Sequence, residues 1–248
     1  MSDPGRAVVR IGMWSGPRNI STAMMRAWEN RPDTVVVDEP LYASYLARTG
    51  LDHPGRDEVL AAQPTSLDEA VATLSAPLPE GRTVHYAKHM AQHVDIGSDA
   101  SWTEAFRNVL LIRDPAEVVA SYVRAREACE PEDIGLLQEL WLLEGWRAAG
   151  HEVPVIDSAD FLRDPEAHLR WLCDWLGIGF TERMLSWPPG PRDSDGVWAR
   201  YWYDAVLAST GFEPYRPREV HLSPHDAAVA EACRPAYDAL RELRVRPQ

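Results

Sequence analysis

Ser15-Gly16-Pro17-Arg18-Asn19 is a short turn carrying one cation, with the hydroxyls of Ser21 and Thr22 just beyond it. An apolar run precedes the turn and a helical pattern follows it, so these residues sit at a helix N-terminus. Unpaired N–H groups and the positive end of the helix dipole favour an anion there. Arg18 adds a planar charge suited to phosphate or sulfate oxygens. A triphosphate loop would read G-x-x-x-x-G-K-[ST], with its hydroxyl on Mg²⁺. Here Asn19 and Ile20 stand where Gly-Lys would be. The turn suits an anion but not metal–triphosphate chemistry.

A second anion site lies in "VLLIRDPAEVVASY". Arg113 ends a strand, and Ser121 lies about two turns into the following helix. In an open parallel sheet, ligands bind outside the carboxyl ends of the strands. Two separated anion sites without a metal loop point to a nucleotide bearing phosphate at both its 5′ and 3′ positions.

The pair "SGPRNIST" and "IRDPAEVVASY" resembles the 5′-phosphosulfate loop and the 3′-phosphate motif of sulfotransferases that use 3′-phosphoadenosine-5′-phosphosulfate (PAPS). The first motif of that family usually reads P-K-x-G-[ST]; this chain has Arg18 for the lysine and Ile20 for the glycine. The second matches through Arg113, Asp114, Pro115 and Ser121. "FLRDPEAHLRWLCDWLGIGF" resembles the family's late segment, and "DEP" with the "DGVWARYW…STGF" tail resembles a bacterial sulfotransferase-like group.

The resemblance implies a transferase that moves a sulfuryl group from PAPS to a hydroxyl or amine of a small molecule, leaving PAP (adenosine 3′,5′-bisphosphate). Arg18 would stabilise the leaving phosphate, with Ser21 and Thr22 on the 5′-phosphate. Two residues compete for the acceptor's proton. Glu39, in "VVDEPLY", resembles the catalytic glutamate of some bacterial and carbohydrate sulfotransferases. His89, in "HYAKHMAQH", resembles the K-T-H histidine of the cytosolic enzymes and is suited to proton transfer near neutral pH. By position alone, Arg192, Trp198 and Arg200 would cover the 3′-phosphate and adenine. An ATP-dependent small-molecule kinase and a non-catalytic nucleotide-binding protein are the alternative readings.

The elements that must position these residues alternate. Strands are expected at 7–14, 33–40, 82–89, 106–115 and 152–161, and helices at 21–30, 133–150 and 164–177. A further helix follows Pro115, and a terminal one starts at Ser223-Pro224 and bends at Pro235. Apolar strands without polar alternation suit parallel pairing with both faces covered. The fold class is therefore α/β: three layers, a mainly parallel sheet with P-loop-like topology, and helical excursions. Residues 1–248 read as a single domain, with an excursion at 41–80 and a cofactor-covering region at 187–221.

At 248 residues, 45% of them apolar, the chain can build a large core, and its net charge of −13 argues against nucleic acid or an anionic membrane as partner. Cys129, Cys173 and Cys233 are widely spaced and form no C-x-x-C. His85, His89 and His93 have helical metal spacing, but His85 falls in a strand-like run and spacing places no carboxylate beside them; no metal is expected. With no leader and no long apolar segment, a cytoplasmic protein is expected.

Overall fold

The structure is a computed structural model that describes residues 8–124, 129–217 and 219–247. Among these residues five strands form one parallel sheet: β1 (Val9–Ser15), β2 (Thr34–Asp38), β3 (Val84–Met90), β4 (Arg107–Ile112) and β5 (Val155–Asp157). Their order is β2-β3-β1-β4-β5. β1 is central, with Ser15 opposite Met90 on one side and Leu111 on the other. The chain leaves β1 toward β2 and β3 on one flank and toward β4 on the other, so the carboxyl end of β1 lies at a topological switch point.

The helices are α1 (Ser21–Glu29), α2 (Tyr42–Thr49), α3 (Arg56–Ala62), α4 (Leu67–Leu74), α5 (Pro115–Tyr122), α6 (Pro131–Ile134), α7 (Leu136–Ala148), α8 (Ser158–Phe161), α9 (Pro165–Leu176), α10 (Ala199–Trp202), α11 (Asp204–Leu207) and α12 (Pro224–Glu242). Alternation along each strand divides the core in two. Ile11, Met13, Val109 and Leu111 face Met24 and Trp28 of α1 and Leu169 and Leu172 of α9. Trp14, Leu110 and Ile112 face Val119 of α5, Trp146 of α7 and Ala236 of α12. The expected three-layer α/β fold is the observed one.

Two expectations need correction. The strand expected over 152–161 is Val155–Asp157 only, because Asp157 caps α8 by accepting hydrogen bonds from the N–H groups of Ala159 and Asp160. The helix expected over 133–150 is divided at Gly135, which has φ 80°. The reason is a close approach: a Cβ at Gly135 would lie 2.9 Å from the Cα of Gly16, and one at Gly16 would lie 2.0 Å from the Ile134 carbonyl oxygen. The excursion 41–80 is three helices, α2 to α4. The terminal helix runs Pro224–Glu242 with Pro235 inside it.

Candidate active site

A cleft of about 560 Å³ opens at the carboxyl ends of the strands, lined by Pro17–Thr22, Arg113 and Ser121 at one end and by Glu39, Lys88 and Tyr203 at the other. The turn is held from both sides. The Asn19 side chain donates to the Leu111 carbonyl at the end of β4 (2.5 Å) and accepts from the Ile20 N–H (2.8 Å). Arg18 has φ 55°, a left-handed conformation that non-glycine residues seldom adopt, and its side chain is directed to α5. Its Nε donates to the Ser121 hydroxyl at 3.1 Å. Arg113 Nη1 donates to the Arg18 carbonyl at 2.5 Å, so the two arginines that sequence places 95 positions apart share one wall. Burial, with Arg113 and Arg124 nearby, lowers the Arg18 pKa from its ordinary value.

α1 begins without a side-chain cap, its N-cap being Ile20. Asp114, Asp164 and Ser223 accept from the first N–H groups of α5, α9 and α12, whereas α2, α3 and α7, like α1, have no side-chain cap. The free N-terminal N–H groups of α1 therefore face the cleft beside Ser21 and Thr22, a donor set that fits a phosphate.

At the other end Lys88 Nζ donates to Asp38 Oδ1 (2.9 Å), Glu39 Oε1 (2.7 Å) and the Tyr203 hydroxyl (2.6 Å). Tyr203 donates to Asp38 Oδ2 at 2.7 Å, and the Gly196 N–H donates to the same oxygen at 3.2 Å. All three N–H bonds of the ammonium are used. Burial pushes Lys88 down, but Asp38, Glu39 and Tyr203 outweigh it and hold its pKa well above the ordinary value. For Glu39, burial and then the Asp38 charge raise the pKa against the pull of Lys88. One cation is shared by two carboxylates, and Asp38 receives the larger share of the donors.

A family model described as a sulfotransferase domain matches residues 9–243. The chain belongs to the sulfotransferase family. It is 37% identical over 233 residues to branched-chain-amino-acid aminotransferase-like protein 1 of Arabidopsis thaliana, a match covering 93% of this chain and 41% of that one. The chain thus spans less than half the length of this curated relative. The sulfotransferase from Alicyclobacillus acidocaldarius shares the fold at a TM-score of 0.54 and 16% identity, over 96% of this chain and 98% of the other. The sulfotransferase domain from the curacin biosynthetic pathway does so at 0.50 and 17%, over 92% and 98%.

In this family member the residues expected at the site separate into two groups. Pro17, Arg18, Asn19, Ser21, Thr22, Glu39, Arg113 and Ser121 line one cleft. Ser15 and Gly16 lie beneath the turn, Ser15 fully buried and Gly16 against Ile134. His89 does not line the cleft. β3 alternates, so Lys88 faces the cleft and His89 the opposite layer, where it stacks on Trp14 at 4.2 Å. Burial, then His85, pushes its pKa down to about 3.

The covering residues differ too. Trp198 is buried, its indole donating to Tyr203 at 3.2 Å, because Gly196 leaves room for the ring. Arg200 pairs with Glu58, and Arg192 donates to the Pro188 carbonyl. The late segment meets the cleft further along, through Trp202, Tyr203 and Phe212–Arg216. Asp38, Lys88 and Tyr203 were not singled out by sequence as site residues. Lys88 follows from the β3 alternation once Glu39 is placed; Tyr203 has no local signal. Among the described residues no cluster of metal-ligating side chains occurs, and no helix is long and apolar enough to cross a membrane.

Proposed function

We propose that the protein is a PAPS-dependent sulfotransferase acting on a hydroxyl or amine of a small molecule. The observation that carries this reading is the Arg18–Ser121 bond of 3.1 Å with Arg113 on the Arg18 carbonyl, which brings the residues expected at the two anion sites into one cleft. About 560 Å³ is within the range of cofactor pockets, roughly 300–1,000 Å³. Ser21, Thr22, Arg18 and the uncapped start of α1 would hold the 5′ end; Arg113 and Ser121 would hold the 3′-phosphate. When bound, the donor supplies an activated sulfuryl group whose departure leaves negative charge on a phosphate.

Arg18 presents fixed N–H groups where that charge develops, the kind of preorganised stabilisation that dominates transfers through loose transition states. Glu39 takes the acceptor's proton. The Lys88 bond falls on Oε1, leaving Oε2 for the acceptor. With both carboxylates ionised, the Asp38–Lys88–Glu39 group carries one net negative charge, and a proton on Glu39 returns it to neutrality. The new bond from sulfur to the acceptor's oxygen or nitrogen, the broken sulfur–oxygen bond to phosphate and the proton on Glu39 balance the step.

Calorimetric titration with PAP and with ATP, each with and without Mg²⁺, tests the donor. PAP is expected to bind more tightly and without need of Mg²⁺; preference for ATP with Mg²⁺ would make the protein a kinase instead. Labelled PAPS with a metabolite panel then tests turnover. Glu39→Gln is expected to lower it about 10²–10⁴-fold, the usual contribution of a general base.

A further inference from the structure

Arg113 does not stand free at its anion site. Its Nε and Nη2 both donate to Glu117 Oε2, at 3.1 and 3.0 Å, one turn along α5. The nearer carboxylate, Asp114, is already engaged: it caps α5 and pairs with Arg234 of α12 at 2.7 Å. With Nη1 on the Arg18 carbonyl, the guanidinium is held on two flanks, and two of its five N–H bonds remain for a ligand. The other oxygen of Glu117, Oε1, accepts from the Tyr215 hydroxyl at 2.9 Å. Tyr215 is fixed in turn: its N–H donates to the Leu162 carbonyl at 3.4 Å, and Arg163 lies over its ring at 4.7 Å. Earlier in the same segment, Phe212 packs edge-on against Phe161 at 4.8 Å.

We propose that Glu117 and Tyr215 are positioning residues of the 3′-phosphate subsite. The carboxylate fixes the Arg113 plane with one oxygen and fastens the 211–216 segment with the other, so selection of a 3′-phosphorylated nucleotide depends on both residues. This rests on the donor reading above. An acid beside an anion site repels the ligand; its presence is favourable only where the order it imposes on a flexible arginine outweighs that repulsion. The sign of a substitution therefore separates the two effects.

The test is calorimetry with PAP and with adenosine 5′-phosphate on the whole protein, as wild type, Glu117→Ala and Tyr215→Phe, with thermal melts as a folding check. The ratio of the two affinities is the readout, because general destabilisation would weaken both nucleotides alike. Glu117→Ala is expected to reduce the preference for PAP about tenfold, and Tyr215→Phe about threefold, with binding of adenosine 5′-phosphate nearly unchanged. A ratio equal to wild type in either folded variant, or tighter PAP binding in Glu117→Ala, overturns the proposal while leaving the donor reading intact. A wild-type protein without preference for PAP overturns both. If Glu117→Ala does not fold, the Tyr215→Phe ratio decides.

Discussion

Lys88 is the residue on which the acid end of the cleft depends. Its ammonium is 1% exposed and lies within hydrogen-bonding distance of two carboxylates and a phenol. Lys88→Met removes the charge, keeps much of the volume, and leaves Asp38 and Glu39 facing each other without a cation. Breaking a buried pair in this way costs about 3–5 kcal/mol. Glu39, already held above its ordinary pKa by burial, then loses the opposing pull of Lys88 and rises further. Such a group contributes stability below the unfolded value and loses it as pH rises through the folded one. Urea denaturation should therefore show a larger loss at pH 8 than at pH 5. With Glu39 in its proposed role as base, the acid limb of turnover should also move further up from a carboxyl already above the ordinary range. A loss independent of pH would mean that Lys88 contributes packing alone.

At the scale of elements, the anion turn takes its shape from a contact with the α6–α7 junction. Gly135 and Gly150 both have positive φ, 80° and 85°, but a Cβ meets Gly16 only at Gly135; at Gly150 nothing lies within 4 Å. Gly150→Ala should cost about 1–2 kcal/mol, the price of the left-handed conformation alone. Gly135→Ala should cost more and also weaken PAP binding by displacing residues 16–18. Melting temperatures and calorimetry on the two variants check this; equal effects would dissociate the junction from the turn. The same contact explains what sequence could and could not disclose. β1 and α1 were legible because Ile11, Met13, Met24 and Trp28 have the strand and helix periods, and β4 because Asp114-Pro115 marks its end and the start of α5. The break at Gly135 was not, since its cause is a backbone 119 positions away in the chain. The positions of Arg113 and Glu39 at strand ends, of Arg18 in the turn after β1 and of Ser121 on the helix after β4 were readable in the sequence. The Tyr203 contact with Asp38 and Lys88 was not, because only tertiary folding brings α10 to α11 over β2 and β3.

Across the whole molecule, buried titrating groups should decide the pH range in which the fold survives. The net charge of −13 alone predicts that mild acid relieves repulsion and stabilises the protein. The histidines of β3 and the turn after it predict the opposite. Burial, with Arg10 nearby, lowers His85 from 6.5 to about 4; burial, then His85, lowers His89 to about 3; and burial, then His53 and Lys88, puts His93 well below 6.5. Below pH 6.5 the unfolded chain binds protons that the folded one refuses, so stability falls toward each folded-state pKa. The slope is roughly 1 kcal/mol per pH unit for each group, or about 3 kcal/mol between pH 6.5 and 5.5 for the three. Glu139, a fully buried carboxyl on α7, acts with the other sign: burial raises its pKa well above the ordinary value, so its contribution is lost as pH rises. Stability should therefore peak near neutrality and fall steeply on the acid side, before surface carboxylates titrate. His89→Phe keeps a ring against Trp14 and removes one of the three protons. Urea titrations across pH 5–7 should give a slope shallower by about 1 kcal/mol per pH unit, with turnover retained because the ring faces away from the cleft. A variant with the wild-type slope would show that His89 is not the source of the acid lability, and one without turnover would return the proton-accepting role to His89.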